Sequence, residues 1–405
     1  MYEFPLSILV AFAVVSALIA AAGFAYHLLL LIVAWWPRGR VTAQAAEKLH
    51  RFAVLIPAHN EELIIGKCID GCKQLDYPSD HFEVTVVADN CIDDTAPCAA
   101  QHGAKVLVRN DAANEGKGHA LRFGFDKLLA ERCDAILVLD ADCAIDHGAL
   151  KAANARLAAG EMAVQCRNVA GNCDESPIAL LMGVANVIEN DFFYAPKSRL
   201  GVFVLLRGTG MILRRELLER YPWEAVSVVE DAEYSYRLAQ GGISVDFLPH
   251  VSVSSSFPSS QVEVSSQRQR WFGAGVKAAV KQFWGLIKAA AVQRSLLPLD
   301  AAWSSWLMAR PLVILELLAA MMLSGTLSMF PEHHGTALKL TGVNLAILAG
   351  YGCYAAVGLV HLGMTWRRCR LFLQAPIIVA RYLWVAVRSV CLQTSVRWER
   401  LPRRA

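Results

Sequence analysis

In the stretch Val138-Leu139-Asp140-Ala141-Asp142-Cys143 an apolar run opens into two carboxylates one residue apart. Such a pair can hold a divalent cation, or it can simply face solvent on a surface turn. Two other turns carry acids in the same setting. Residues 54–56 lead into Pro57-Ala58-His59-Asn60-Glu61-Glu62, and residues 84–87 lead into Ala88-Asp89-Asn90-Cys91-Ile92-Asp93-Asp94-Thr95. Some of these polar residues suit helix caps or helix-start acids. Taken together, however, Asn60/Glu61, Asp89 and Asp140/Asp142 stand at three strand ends and converge on one crevice. Acids gathered at one edge repel one another unless a cation neutralises them. Oxygen-only ligands suit Mg²⁺ or Mn²⁺, and Mg²⁺ binds through one or two carboxylates plus substrate phosphates. The cluster therefore implies a phosphorylated ligand.

Three further stretches carry chemistry. In Asn114-Glu115-Gly116-Lys117-Gly118-His119, glycines flank a lysine where a helix begins, a setting suited to an anion such as phosphate. It is not a Walker A loop, because no Ser or Thr follows Lys117 and the glycine spacing differs. Glu230-Asp231 follows Val228-Val229 at a helix start; an acid there either stabilises the helix or serves as a general base. Gln267-Arg268-Gln269-Arg270-Trp271 opens an amphipathic region, where Trp and Arg also suit a membrane interface.

The elements that must position these residues follow from periodicity. Short β-branched runs at 54–56, 84–88, 105–108, 135–139 and 162–166 alternate with helix-like segments at 61–73, 94–102, 117–131 and 146–159. This alternation predicts an α/β fold with a mostly parallel, Rossmann-like doubly wound sheet. Ligands of such sheets bind beyond the carboxyl ends of the strands, where the acidic turns fall. Ser252-Val253-Ser254-Ser255-Ser256-Phe257-Pro258-Ser259-Ser260 reads as a loop.

The chain as a whole is greasier than a soluble enzyme: 55% hydrophobic, 19% charged, with a mean hydropathy of +0.36. Residues 6–36 hold no formal charge. At about 1.5 Å per residue they cross a hydrocarbon core of about 30 Å, so 1–37 is expected to be a retained transmembrane helix. Only Glu3 precedes it, whereas Arg38, Arg40, Lys48 and Arg51 follow, so the next domain is expected in the cytoplasm at the inner or plasma membrane. After a linker at 38–52, a catalytic domain spans 53–260 and amphipathic interfacial helices span 261–300. A C-terminal membrane region, 301–405, has spans near 311–330 and 343–366. It ends in an interfacial or re-entrant helix near 371–392 and a basic tail. From Trp366 to Ala405 there are nine Arg, no Lys and one acid, which suits anionic lipid headgroups. The 11 cysteines are expected to be free thiols in a reducing compartment. Nothing here calls for nucleic acid.

The motifs, in this order, resemble those of membrane-embedded family 2 glycosyltransferases, the group of cellulose, chitin and hyaluronan synthases with ceramide glucosyltransferase as a relative. The resemblance runs over about 53–275 and rests most on Asp140-Ala141-Asp142, Glu230-Asp231 and Gln267-x-x-Arg270-Trp271. It implies a GT-A fold and inverting transfer from a nucleotide sugar, usually a UDP-sugar, with Mg²⁺ or Mn²⁺. By that resemblance Asp89 meets the uracil, Glu61 lies near the nucleoside and Lys117 sits at the nucleotide. Asp140 and Asp142 are the D-x-D pair, with Asp142 the principal metal ligand. Asp231, beside Glu230, is the base. Gln267, Arg270 and Trp271 close over the diphosphate and the acceptor sugar, and Gly208-Thr209-Gly210 lines the acceptor site. The leading expectation is an exopolysaccharide synthase, with a partner subunit or self-association completing a channel. A glycolipid-forming transferase with a lipid acceptor is the alternative, and a non-catalytic export subunit is a third.

Overall fold

The computed structural model describes residues 3–36, 48–257, 261–308 and 310–391, without the side chains of 3–6, 261–270 and 389–391. The sheet strands are β1 (Phe52–Ala58), β2 (Phe82–Asp89), β3 (Lys105–Arg109), β4 (Ala135–Val138), β5 (Ala144–Ile145), β6 (Ala163–Ala170), β7 (Met211–Arg214) and β8 (Asp246–Ser255). Between and after them lie helices α1 (Glu3–Trp35), α2 (Ile65–Lys73), α3 (Thr95–Gln101), α4 (Lys117–Leu129), α5 (Ala149–Ala158), α6 (Pro177–Glu189) and α7 (Ala195–Arg199). The series continues with α8 (Arg215–Arg220), α9 (Glu230–Gln240), α10 (Gln261–Gln293), α11 (Leu296–Met308), α12 (Arg310–Leu327), α13 (His334–Leu362), α14 (Trp366–Phe372) and α15 (Ala375–Cys391).

One sheet has the order β3-β2-β1-β4-β7-β6-β8-β5. The expected parallel arrangement holds across β3, β2, β1 and β4, and β6 pairs with β8 in parallel. Alternation puts Val54 and Ile56 on one face, against Ile65, Ile69 and Leu150, and Leu55 on the other, with Leu121 and Phe125. Helices thus cover both faces, as an apolar parallel sheet requires.

Strand β7 departs from the doubly wound pattern: it runs antiparallel to both β4 and β6, with Val138 opposite Met211. Its entrance therefore lies beside the exit of β4, and the Gly210 N–H donates to the Val138 carbonyl at 2.8 Å. A second correction concerns residues 252–260. Ser252 to Ser255 are not loop but the end of β8, paired with Arg167 to Ala170. The serines alternate with Val251 and Val253, whose side chains are buried, so period-two patterning outweighs serine's turn preference. Residues 258–260 lie outside the described residues.

Among the described residues, four helical segments are long and apolar enough to cross a membrane, or up to five if the pair Trp366–Phe372 and Ala375–Arg388, bent by 45°, counts as one span. Helices α1, α12 and α13 pack on one another and keep only 22–28% of their apolar windows buried. The fourth segment, Pro177–Arg199, was not foreseen as apolar helix and is 67% buried within the protein. It carries Asn186, Asn190 and Lys197 in buried positions, and it packs on α13 and α14, so it joins the sheet to the membrane-type helices. The expected span at 343–366 begins nine residues earlier, at His334, and stops at Leu362, where Gly363 takes φ +99°. The linker and the end of the basic tail fall largely outside the described residues. All ten cysteines with described side chains are free thiols.

The junction between sheet and membrane-type helices has a charged centre. Lys197, fully buried, pairs with Asp300 of α11 at 2.8 Å and also meets Ser304. Asp300 further accepts from the Tyr26 hydroxyl of α1 and from the Phe203 N–H, the latter at 3.0 Å. The ammonium faces the rings of Phe193 and Phe203 at 4.5 and 5.5 Å.

Candidate active site

The first two acidic turns form one interlocked loop pair. Asn60 and Asn90 both adopt left-handed backbone, φ +57° and +50°, which asparagine tolerates. The Asn60 side chain accepts from Ile92 N at 2.8 Å, and His59 Nδ1 meets the Asp89 carbonyl at 2.7 Å. Glu61 is buried, and its N–H donates to Thr95 Oγ1 at 2.7 Å. Asp89 is buried as well, but it does not await a metal for its counter-charge: Arg109 contacts it at 2.5 Å and Asp111 at 2.9 Å. Part of the neutralising positive charge is thus supplied by the protein itself. Arg109, the last residue of β3, was missed because a cation ending a strand looks like ordinary surface.

The third turn meets Lys117. Its ammonium lies 2.5 Å from Asp140 Oδ1 and donates to the Gly208 carbonyl at 2.8 Å. Gly116, at φ +119°, starts α4 and Gly118 lets it seat closely: a methyl group there would lie 2.7 Å from Val226 Cα. The acids Asp140 and Asp142 lie with Cys143 such that one ligand atom from each falls within 4.8 Å of the others. Oxygen donors at this spacing suit a divalent ion.

The entrance of β7 completes the cluster. Thr209 Oγ1 accepts from the Asp140 N–H at 3.1 Å. Gln165, fully buried, accepts from Arg207 N at 2.8 Å and donates to the Thr209 carbonyl at 2.9 Å. A methyl group on Gly208 would sit 3.2 Å from both Asp231 Oδ2 and Lys117 Nζ, so this glycine is where base candidate and lysine come together. Asp231 sits in the first turn of α9; its Oδ1 accepts from Ala232 N at 2.8 Å, and Ser235 ties the same turn to Leu206 N at 2.9 Å. Burial raises the Glu230 and Asp231 carboxyls above the ordinary range, and Lys117 partly offsets this. Burial opposes the charge on Lys117, but Asp140, Glu230 and Asp231 outweigh it and hold the ammonium firmly protonated.

Arg207, ahead of that loop, reaches the other way. It pairs with Glu189 at 2.8 Å, and Glu189 pairs with Arg310, the first residue of α12, at 2.6 Å. Sequence reading missed Gln165, Arg207 and Glu189; each acts through long-range pairing that no local motif marks. Gln267 and Arg270 lie on the first turns of α10, with side chains outside the described residues, and Trp271 on the same helix is 49% exposed. The structure thus brings Lys117 and Asp231 together at Gly208, with Asp140 on Lys117, Asp142 beside Asp140, Glu230 beside Asp231, and Glu61 and Asp89 in the neighbouring loop pair.

A parallel Rossmann-like sheet with a D-x-D turn at β4 and an antiparallel strand returning beside it defines the GT-A class. The chain belongs to the family 2 glycosyltransferases: the model described as "Glycosyltransferase like family 2" matches residues 50–274. The probable glycosyltransferase YdaM of Bacillus subtilis is 26% identical over 237 residues, covering 56% of this chain and 55% of the relative. The beta-monoglucosyldiacylglycerol synthase of a Nostoc species is 26% identical over 242 residues, covering 58% and 51%. The chain thus spans about half the length of the curated relatives it matches. The solved mannosyltransferase PcManGT of Pyrobaculum calidifontis, in complex with GDP-Man and Mn²⁺, shares the fold with a TM-score of 0.60 at 20% identity, covering 95% of this chain and all of that one.

Proposed function

We propose that this chain is an inverting membrane glycosyltransferase that moves a sugar from a nucleotide sugar, a UDP-sugar on the motif resemblance, to an acceptor delivered from the bilayer at the cytoplasmic face. One observation carries the membrane side of this reading. The loop at Gly208 contacts Lys117 on one flank, and on the other it continues through Arg207 and Glu189 to Arg310 at the start of an apolar helix. These pairs tie the loop beside Asp231 to the start of an apolar helix, so an acceptor bound at Asp231 would lie near the membrane-type helices. Relatives named as beta-monoglucosyldiacylglycerol synthases support a lipid acceptor, and one named as a glucomannan 4-beta-mannosyltransferase supports a polysaccharide acceptor as the second reading.

In this mechanism Asp140 and Asp142 would hold the divalent ion, which when bound offsets charge on the leaving diphosphate. The remaining steps belong to the chain's own residues. Glu61 and Asp89 flank the nucleoside. Lys117 lies beside the diphosphate and adds a fixed positive charge as the glycosidic bond breaks. Asp231, with Glu230 adjoining, takes the proton from the acceptor hydroxyl, whose oxygen attacks the anomeric carbon from the face opposite the leaving group. One base and no covalent intermediate suffice for inversion. Gln267, Arg270 and Trp271 close the site from α10.

The test uses the full chain in lipid nanodiscs with radiolabelled UDP-sugars and Mg²⁺ or Mn²⁺. A product that partitions into organic solvent is expected. A high-mass, water-soluble product would move the assignment to polysaccharide synthesis, and release of free sugar alone would sink the acceptor reading.

A further inference from the structure

The D-x-D turn has a third donor beside its carboxylates. The Cys143 N–H donates to the Asp140 carbonyl at 3.0 Å, so the chain folds back within four residues and brings side chains 140, 142 and 143 together. Cys143 is buried, with 4% of its surface exposed, and its Sγ lies 3.6 Å from Asp142 Oδ1. The thiol is oriented by Thr209, whose hydroxyl lies 3.5 Å from the sulfur and also holds the Asp140 N–H. The three donor atoms lie within 4.8 Å of one another, so one ion can reach all three. The other buried thiol near the turn, Cys68, lies 3.6 Å from the Asp140 backbone carbonyl and is absent from this donor group.

We propose that Cys143 is a third ligand of the metal site, which makes the site one oxygen-rich, sulfur-tipped centre that takes thiophilic divalent cations such as Co²⁺, Zn²⁺ and Cd²⁺ as well as Mg²⁺ or Mn²⁺. This rests on the reading of Asp140 and Asp142 as metal ligands. Soft sulfur ranks cations differently from carboxylate alone. On ligation the S–H bond is replaced by an S–metal bond and the proton passes to solvent. Mg²⁺, which favours oxygen, gains little from the sulfur, whereas Cd²⁺ gains most. Thiophilic metals would therefore compete with the working ion for the site.

The experiment is a Co²⁺ titration of the full chain in lipid nanodiscs with UDP present, followed by absorption spectroscopy and equilibrium dialysis. The expected result is a near-ultraviolet thiolate-to-cobalt charge-transfer band that is lost in Cys143→Ser and in Cys143→Ala but kept in Cys68→Ser. The two substitutions at 143 differ in hydrogen bonding, so loss in both, with thermal unfolding unchanged in at least one, assigns the ligand. Absence of the band in the wild type, with Co²⁺ binding that Asp142→Ala abolishes, overturns the Cys143 proposal and leaves the carboxylate site standing. Survival of the band in either folded Cys143 variant overturns it too. Co²⁺ binding unchanged by Asp142→Ala overturns the underlying metal-site reading instead.

Discussion

At the scale of single residues, electrostatics divides the site into two parts. Asp89 and Asp140 carry their counter-cations with them, Arg109 and Lys117, whereas Glu230 and Asp231 share a buried pocket in which charge is held back. The sign of the pH dependence follows. A carboxylate base whose pKa is raised is still protonated where an exposed one has ionised, so transfer should fall on acidification at a pH above the ordinary carboxylate value of about 4. The acid limb of a kcat–pH profile measures this, and a limb at or below about 4 would remove Asp231 as the base. The D-x-D turn, the Glu-Asp pair and Lys117 were legible in the sequence because each is a short motif at an element's end. Arg109, Gln165 and Glu189 were not, because their partners lie 20, 42 and 18 residues away and no local spacing records the pairing.

At the scale of elements, the loop entering β7 governs the chemistry. The parallel half of the sheet could be read from alternating apolar runs, but β7 is four residues long and gives too little period to read. Its antiparallel direction comes from pairing with β4 and β6, a tertiary fact. Gly208 makes the loop's dependence on sequence measurable. It sits at φ +74°, and an added methyl group would crowd both Asp231 and Lys117 at 3.2 Å. Gly208→Ala should impose strain of about 1–2 kcal/mol. If that strain falls on the transfer step, kcat drops roughly tenfold with little change in donor KM. An unchanged kcat would mean the loop does not set the base. Gln165→Ala leaves the Arg207 N–H and the Thr209 carbonyl without their partner; thermal unfolding should register a loss of about 1–3 kcal/mol.

At the scale of the molecule, the sheet is bonded to the membrane-type helices through charge as well as through apolar contact. The Tyr26–Asp300–Lys197 group joins α1, α11 and α7, and breaking one partner strands the others in a buried setting. Asp300→Ala should therefore destabilise the protein by about 3–5 kcal/mol, read as a drop in unfolding temperature in nanodiscs, whereas Tyr26→Phe should cost much less. The three exposed apolar helices were readable from hydropathy alone. The segment Pro177–Arg199 was not, because Asn186, Glu189, Asn190, Asp191 and Lys197 interrupt it and its hydropathy, 1.2, is the lowest of the four. The central claim concerns the division of labour between the metal pair and the base. Its most direct test measures UDP binding by calorimetry and sugar transfer by radiolabel on the same nanodisc preparations of wild type, Asp142→Ala and Asp231→Asn. Asp142→Ala should lose both UDP binding in the presence of Mn²⁺ and transfer, while Asp231→Asn should keep wild-type UDP binding and lose transfer. Transfer that persists in Asp231→Asn, or UDP binding lost equally in both variants, would contradict the account.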